Sequence, residues 1–245
     1  MGQNMIELEN VSYSIREGGG ERFILKNITC AFEKGKISVI SGPSGSGKTS
    51  LLYAIAGLIG TSGRIVVDGI NLNGLSQNEK NEFRLRNMSM IFQNLNLFGF
   101  MNVEDNILVP MYLNRKKIDM QIKDEVAYYL DLMKLGQIQD RPIQSLSGGE
   151  QQRVAIIRAL IMNPKVVLCD EPTASLDSEN VEMFMETLDR IKKEDSTFVI
   201  VTHDQRVFKH GDHRINIVDG KLHENELELL NAKGQDGLSR KGNAV

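Results

Sequence analysis

The sequence predicts an α/β fold: a buried parallel sheet with helices on both faces, a small antiparallel β layer and an inserted α-helical lobe. Three observations carry this expectation. Short apolar, β-branched runs recur at 36–41, 88–92, 166–169 and 198–201, and such runs read as strands covered on both faces. Lys36–Ser41 passes straight into Gly42-Pro43-Ser44-Gly45-Ser46-Gly47-Lys48-Thr49 and then into helical Ser50–Leu58, the strand, loop and helix order of a phosphate-cradling turn. Ile6–Ile15, Phe23–Phe32 and Arg64–Ile70 are strand-like, with Asp68-Gly69 as a hairpin turn, and they make the antiparallel layer. Residues 94–150 read mostly as helices, with an amphipathic run at Lys123–Leu135, and Arg214–Val218, Asp219-Gly220 and Lys221–Leu222 form a last hairpin.

The glycine loop sets the first chemical expectation. Gly42, Gly45 and Gly47 let the backbone close around an anion with its N–H groups inward, and the dipole of the next helix adds positive potential. Lys48 is placed to reach the β- and γ-phosphates of a nucleotide, the Thr49 hydroxyl to take a place on Mg²⁺, and Ser50 to continue the cradle. Lys165–Glu171 is an apolar strand ending in two carboxylates. Asp170 is expected to hold the metal from behind and Glu171 to orient or deprotonate an attacking water, because alternate strand residues point to opposite sides. Alone, the pair also reads as a strand running into a solvated acidic turn; the phosphate loop favours the catalytic reading.

Composition narrows the class. At 245 residues the chain can bury a large core, and a net charge of −3 with pI about 5.9 provides no basic field for nucleic acid. The two cysteines, Cys30 and Cys169, lie in or beside apolar strands and read as buried thiols of a reducing compartment. No stretch approaches the ~18 apolar residues of a membrane span, and Met1–Asn10 lacks a signal-peptide core. Met1-Gly2 begins like a myristoylation signal, but Ile6 stands where Ser or Thr is needed. Any membrane contact is therefore expected through a partner.

Tyr13, the loop at 42–49, Gln93, Leu146-Ser147-Gly148-Gly149-Glu150, Asp170-Glu171, Ser175-Leu176-Asp177 and His203 follow one another in the order and approximate spacing of ATP-binding cassette (ABC) ATPase domains. The chain resembles that family over roughly residues 5–223. The resemblance implies a P-loop NTPase with a RecA-like core, made discontinuously of 1–93 and 151–224. It also implies an inserted helical lobe at 94–150 carrying the signature motif, and a polar tail at 225–245. ATP and Mg²⁺ are the implied cofactors, with the antiparallel layer receiving the adenine. Tyr13 resembles the aromatic that stacks on the base, although an ordinary strand aromatic reads the same way. Gln93 resembles the glutamine that touches metal and water, and His203 the histidine that contacts the γ-phosphate and holds the attacking water. By the same resemblance, Ser147, Gly148, Gly149 and Glu150 would open a helix that binds the γ-phosphate held by a second copy of the chain, and Asp177 resembles the aspartate of the loop crossing that interface. His210, His213 and His223 read as solvated. The Gly18–Gly20 turn and the short Gly60–Arg64 segment depart from the family pattern on the adenine side.

The implied partners are a second copy, in a head-to-tail homodimer, and an integral-membrane permease. The chain would then be cytoplasmic and peripheral on the inner face of the membrane. Leu95, Leu97, Phe98, Phe100 and Met101 are more apolar than a loop requires, and are divided here between the core of the inserted lobe and a groove for a permease helix. The finer resemblance is to the lipoprotein-releasing, macrolide-exporting and antimicrobial-peptide-resistance group, through Asn106–Pro110 and Leu146–Arg153. A polar amino-acid importer, or a cell-division or signalling ATPase acting on a membrane protein, would share most of these features.

Overall fold

The computed structural model describes residues 3–174, 176, 178–191 and 196–224. Asp177, Ser175 and the tail at 225–245 lie outside them. Strands β1 (Asn4–Glu17), β2 (Gly20–Glu33), β4 (Ser62–Val67) and β5 (Ile70–Asn71) form an antiparallel sheet in the order β2-β1-β4-β5. The main sheet has the order β10-β9-β3-β8-β7-β6, from β3 (Ile37–Ser41), β6 (Met88–Ile91), β7 (Val166–Asp170), β8 (Thr197–Val201), β9 (His213–Val218) and β10 (Lys221–Glu224). It is parallel from β9 through β6, and only β10 runs antiparallel. The last hairpin, expected only as a hairpin, extends this main sheet through β9 on β3.

The hairpin turns follow from their residues. Asp68 and Gly69 have φ of 48° and 76°, and Asp219 and Gly220 have 50° and 76°. Two successive positive φ values make the mirror-image turn that matches strand twist, and they connect partners Val67–Ile70 and Val218–Lys221.

Period-2 alternation divides the central strands between two cores. Ile40, Val166, Leu168, Val199 and Val201 pack with the antiparallel layer and with α1 (Lys48–Ile55). Val39, Val167, Cys169, Phe198 and Ile200 face the other way, onto α3 (Val103–Leu113), α4 (Met120–Leu132), α5 (Gly148–Leu160) and α6 (Ser178–Ile191). The remaining helices are α2 (Gln77–Asn87) and α7 (Gln205–Phe208). The helix after the glycine loop begins at Lys48, earlier than expected, because Gly47 is its N-cap. The expected Lys123–Leu135 run is one helix shifted toward the N-terminus, where Asp119 caps it by accepting from Ile122 N–H. Helix α5 spans 148–160, so the expected boundary at 150/151 falls inside a helix.

Candidate functional site

Sheet register brings the site together. Val201 is opposite Ile40 on one side and Asp170 on the other, so the C-terminal ends of β3, β8 and β7 stop at one level. The segments leaving them are the glycine loop, Thr202-His203 and Glu171, and ligands of open parallel sheets bind at this edge. Cross-links hold the level: Thr202 N–H donates to the Ile40 carbonyl at 3.0 Å and Glu171 N–H to the Val201 carbonyl at 2.9 Å.

A cleft of about 680 Å³ opens there, within the ~300–1,000 Å³ of small-ligand sites. Gly42, Pro43, Ser44, Gly45, Gly47, Lys48, Thr49, Ser50, Gln93, Glu171 and His203 line it, as do Arg22 and Ile24, which sequence reasoning missed. The first turn of α1 has neither a side-chain cap nor an acidic residue, so its outward N–H groups are left for a ligand. Ser46 lies beneath the loop with its hydroxyl buried and without a hydrogen-bond partner. Lys48 is buried and its Nζ donates to the carbonyls of Gly42 and Pro43, both at 2.9 Å.

Thr49 Oγ1 donates to Asp170 Oδ1 at 2.9 Å. Asp170 is buried, and desolvation raises its pKa; the Thr49 bond opposes this, the Glu171 charge adds to it, and the Lys48 charge opposes it. Glu171 faces elsewhere, though not by simple strand alternation as expected. The strand ends at Asp170 and Glu171 takes a left-handed φ of 48°, which redirects its carboxylate toward the next loop. There Glu171 Oε2 is 2.9 Å from His203 Nδ1 and accepts from His203 N–H at 3.3 Å.

Other expected site residues lie elsewhere. Tyr13 does not line the cleft; it packs, partly buried, on the core beneath the antiparallel layer, opposite Leu25. Ser147, Gly148, Gly149 and Glu150 form the N-terminus of α5 and none lines this cleft. Ser147 N–H and Oγ–H both donate to Glu150 Oε2 at 2.7 Å, and Glu150 N–H donates back to Ser147 Oγ at 3.4 Å, a reciprocal cap. Those Ser147 bonds hold the Glu150 carboxyl below its ordinary range. His213 is a correction: pairing of β9 with β3 sets it opposite Ser38, half-buried, with Nε2 3.6 Å from Glu33. His210 Nε2 lies 3.3 Å from Glu182. Leu97 packs on the core, whereas Phe98 and Phe100 are exposed and meet edge to face at 5.8 Å.

Behind Gln93, the loop into α3 is held from the helix of the signature motif. The Arg158 guanidinium donates to the carbonyl of Asn96 at 2.7 Å and to that of Leu95. Leu95 and Asn96 both have left-handed φ, so the chain there reverses tightly with its carbonyls turned to Arg158.

A glycine loop between β3 and a helix N-terminus, with Thr49–Asp170 and Glu171–His203 at its mouth, defines a phosphate-loop NTPase. The ABC transporter family model matches residues 25–174. The chain is 37% identical over 201 residues to lipoprotein-releasing system ATP-binding protein LolD 1 of Chlorobium chlorochromatii, covering 81% of this chain and 82% of the relative. It is 38% identical over 224 residues to the ABC transporter ATP-binding protein YtrE of Bacillus subtilis, covering 89% and 96%. The dimeric post-hydrolysis structure of the cassette MJ0796 with ADP and Pi, from Methanocaldococcus jannaschii, superposes with a TM-score of 0.83 at 32% identity, covering 90% of this chain and 97% of that one. The chain belongs to the ABC transporter family, as its ATP-binding and ATP-hydrolysing component. Among the described residues no helix is long and apolar enough to cross a membrane.

Proposed function

We propose that this chain hydrolyses ATP as a head-to-tail homodimer that drives an integral-membrane permease. In this reading it sits on the cytoplasmic face of the membrane and serves export or extraction of a peptide, lipid-linked or drug-like substrate. The observation that carries the reading is the convergence of Lys48, the Thr49–Asp170 bond and the Glu171–His203 pair on one cleft. The similarity to a lipoprotein-releasing ATP-binding protein supports the direction of transport.

The residues divide the chemistry. Lys48 exchanges its two loop carbonyls for phosphate oxygens, and the amides of the loop and α1 neutralise charge on the triphosphate. Thr49, Asp170 and the exposed Gln93 amide form an all-oxygen donor set that suits Mg²⁺. Bound there, Mg²⁺ would compensate charge on the triphosphate. Glu171 accepts a hydrogen bond from the attacking water while the water oxygen bonds to the γ-phosphorus; the bond to the β–γ bridging oxygen breaks with its electron pair leaving on ADP, and the water proton passes by way of Glu171 to the released phosphate. His203, bonded to Glu171, keeps that carboxylate aimed.

Ser147, Gly148, Gly149 and Glu150 act on the cleft of the second copy, a reading supported by their place at a helix N-terminus outside their own cleft, where Ser147 and Gly148 are exposed. Asp177 belongs to the loop crossing the same interface, and Tyr13, the aromatic expected on the base, packs partly buried on the core and does not line the cleft. Residues 1–93 with 151–224 act as the core and 94–150 as an inserted lobe, whose exposed Phe98 and Phe100 meet the permease.

The test is Glu171→Gln. It is expected to bind ATP, lose roughly 10²–10⁴-fold in turnover, and accumulate as a dimer by light scattering. Normal turnover would remove Glu171 from its role. The same variant, tagged and loaded with ATP, is expected to recover a permease from detergent-solubilised membranes; recovery of soluble partners alone would sink the transporter reading.

A further inference from the structure

We infer that Arg22 lays its guanidinium plane against the base of the bound nucleotide, so that a cation on β2 takes the place assigned to an aromatic on β1. The inference rests on reading the cleft as a nucleotide site.

Four observations support it. Arg22 and Ile24, alternate residues of β2, both line the cleft, whereas Tyr13 does not. Tyr13 is spent on the core, and the pairing of β1 with β2 shifts register between Tyr13 and Ser14, so that Ile15, not an aromatic, comes opposite Arg22. Next, β2 is the wall adjoining the phosphate loop: Ile24 O is the nearest atom to the Cβ position of Gly47, and Lys26 N–H donates at 2.8 Å to Gly220, whose own N–H donates at 3.0 Å to Ser46. A nucleotide with its phosphates on the loop therefore meets Arg22 and Ile24 as it extends along that wall. Finally, Arg22 Nη1 is 3.0 Å from Glu17 Oε2 across the two-residue Gly18-Gly19 turn. That bond uses the edge of the guanidinium and leaves its faces available.

The chemistry fits a base. A guanidinium is planar and weakly hydrated, and it stacks on aromatic faces as an ammonium cannot. Ile24 supplies an apolar surface beside it. Among the described residues the one aromatic ring in the lining is His203, and it is bonded to Glu171.

The experiment measures ADP binding by calorimetry and pyrophosphate binding by competition, so that base and phosphate contributions separate without turnover. Arg22→Ala is expected to weaken ADP roughly five- to thirtyfold and to change pyrophosphate by less than about twofold. Arg22→Trp is expected to restore ADP binding, and Arg22→Lys to restore little of it. Equal loss for ADP and pyrophosphate with rescue by Arg22→Lys would make Arg22 a phosphate ligand and overturn the inference. So would an unchanged Arg22→Ala beside a weakened Tyr13→Leu, which would return the base to Tyr13. If the unmodified chain bound neither ligand, the nucleotide reading itself would fall and take the inference with it.

Discussion

Replacing Gly47 by alanine tests how the phosphate loop is braced. Gly47 caps α1 at φ 103°. A Cβ there would stand 2.8 Å from the Ile24 carbonyl oxygen and 3.1 Å from Leu25 Cδ2. Close C···O contacts begin near ~3.3 Å, so about 0.5 Å must be found. Ile24 is poorly able to yield it, because the Lys26–Gly220 and Gly220–Ser46 bonds close a ring from β2 through the β9–β10 turn to the loop. The left-handed conformation costs about 1–2 kcal/mol and forced overpacking about 1–3 kcal/mol, together roughly 3 kcal/mol. At ~2–4 °C per kcal/mol for a chain of this size, Gly47→Ala should lower Tm by about 6–12 °C. Gly45 is the internal comparison: its φ is 77°, yet nothing lies within 4 Å of its Cβ position, so Gly45→Ala incurs only the conformational cost. Thermal unfolding and urea midpoints of the two variants decide the matter. If Gly47→Ala melts no lower than Gly45→Ala, the bracing of the loop against β2 is wrong.

Asn106 is fully buried, accepts from Phe98 N–H and donates to the carbonyls of Phe98 and Asn102, so Asn106→Ala strands several loop groups and should cost about 3 kcal/mol or more in urea unfolding; a loss under ~1 kcal/mol would refute that accounting. The Glu150 carboxyl is held below its ordinary 4.5 by Ser147, so the folded state binds this proton more weakly than the unfolded chain. Its contribution is complete above about 4.5 and is lost as pH falls through the lower folded value, so the ~1 kcal/mol deficit of Ser147→Ala at pH 7 should shrink in acid. A deficit independent of pH would show that the Glu150 charge takes no part in the cap. Burial raises the Cys169 thiol well above its ordinary range, so Cys169 should not react with a disulfide reagent at pH 8 until the chain is unfolded, whereas Cys30, expected to be buried, is only half-buried and lines a surface cleft, so it should label first. Rapid native labelling of Cys169 would contradict its burial.

Much of the site was legible because its residues act where they sit in the chain. Lys48 and Thr49 follow a glycine loop after an apolar strand, and that local order already specifies an anion cradle. Asp170 and Glu171 were legible as a strand end. Their divergence was not read correctly, since it depends on a left-handed residue at 171 rather than on the pleat. Arg22 and Ile24 escaped notice because nothing near them in sequence mentions phosphate. The available signal was alternation: Leu25 is core, which leaves Ile24 and Arg22 on the opposite face of the strand, one that needs another purpose.

By itself, then, the sequence determined the elements and their local chemistry: short buried strands, Asp-Gly hairpins, capped helices and a phosphate loop, each set by neighbours along the chain. Only the tertiary structure decided which strand ends share a level, that β9 joins β3, that Tyr13 goes to the core while Arg22 faces the cleft, and that Arg158 reaches the loop behind Gln93. The physical reason is the nature of parallel pairing. Adjacent parallel strands are joined through long crossovers, so their order and register are chosen by the burial of both faces at once, a sum over the whole core that no local window contains.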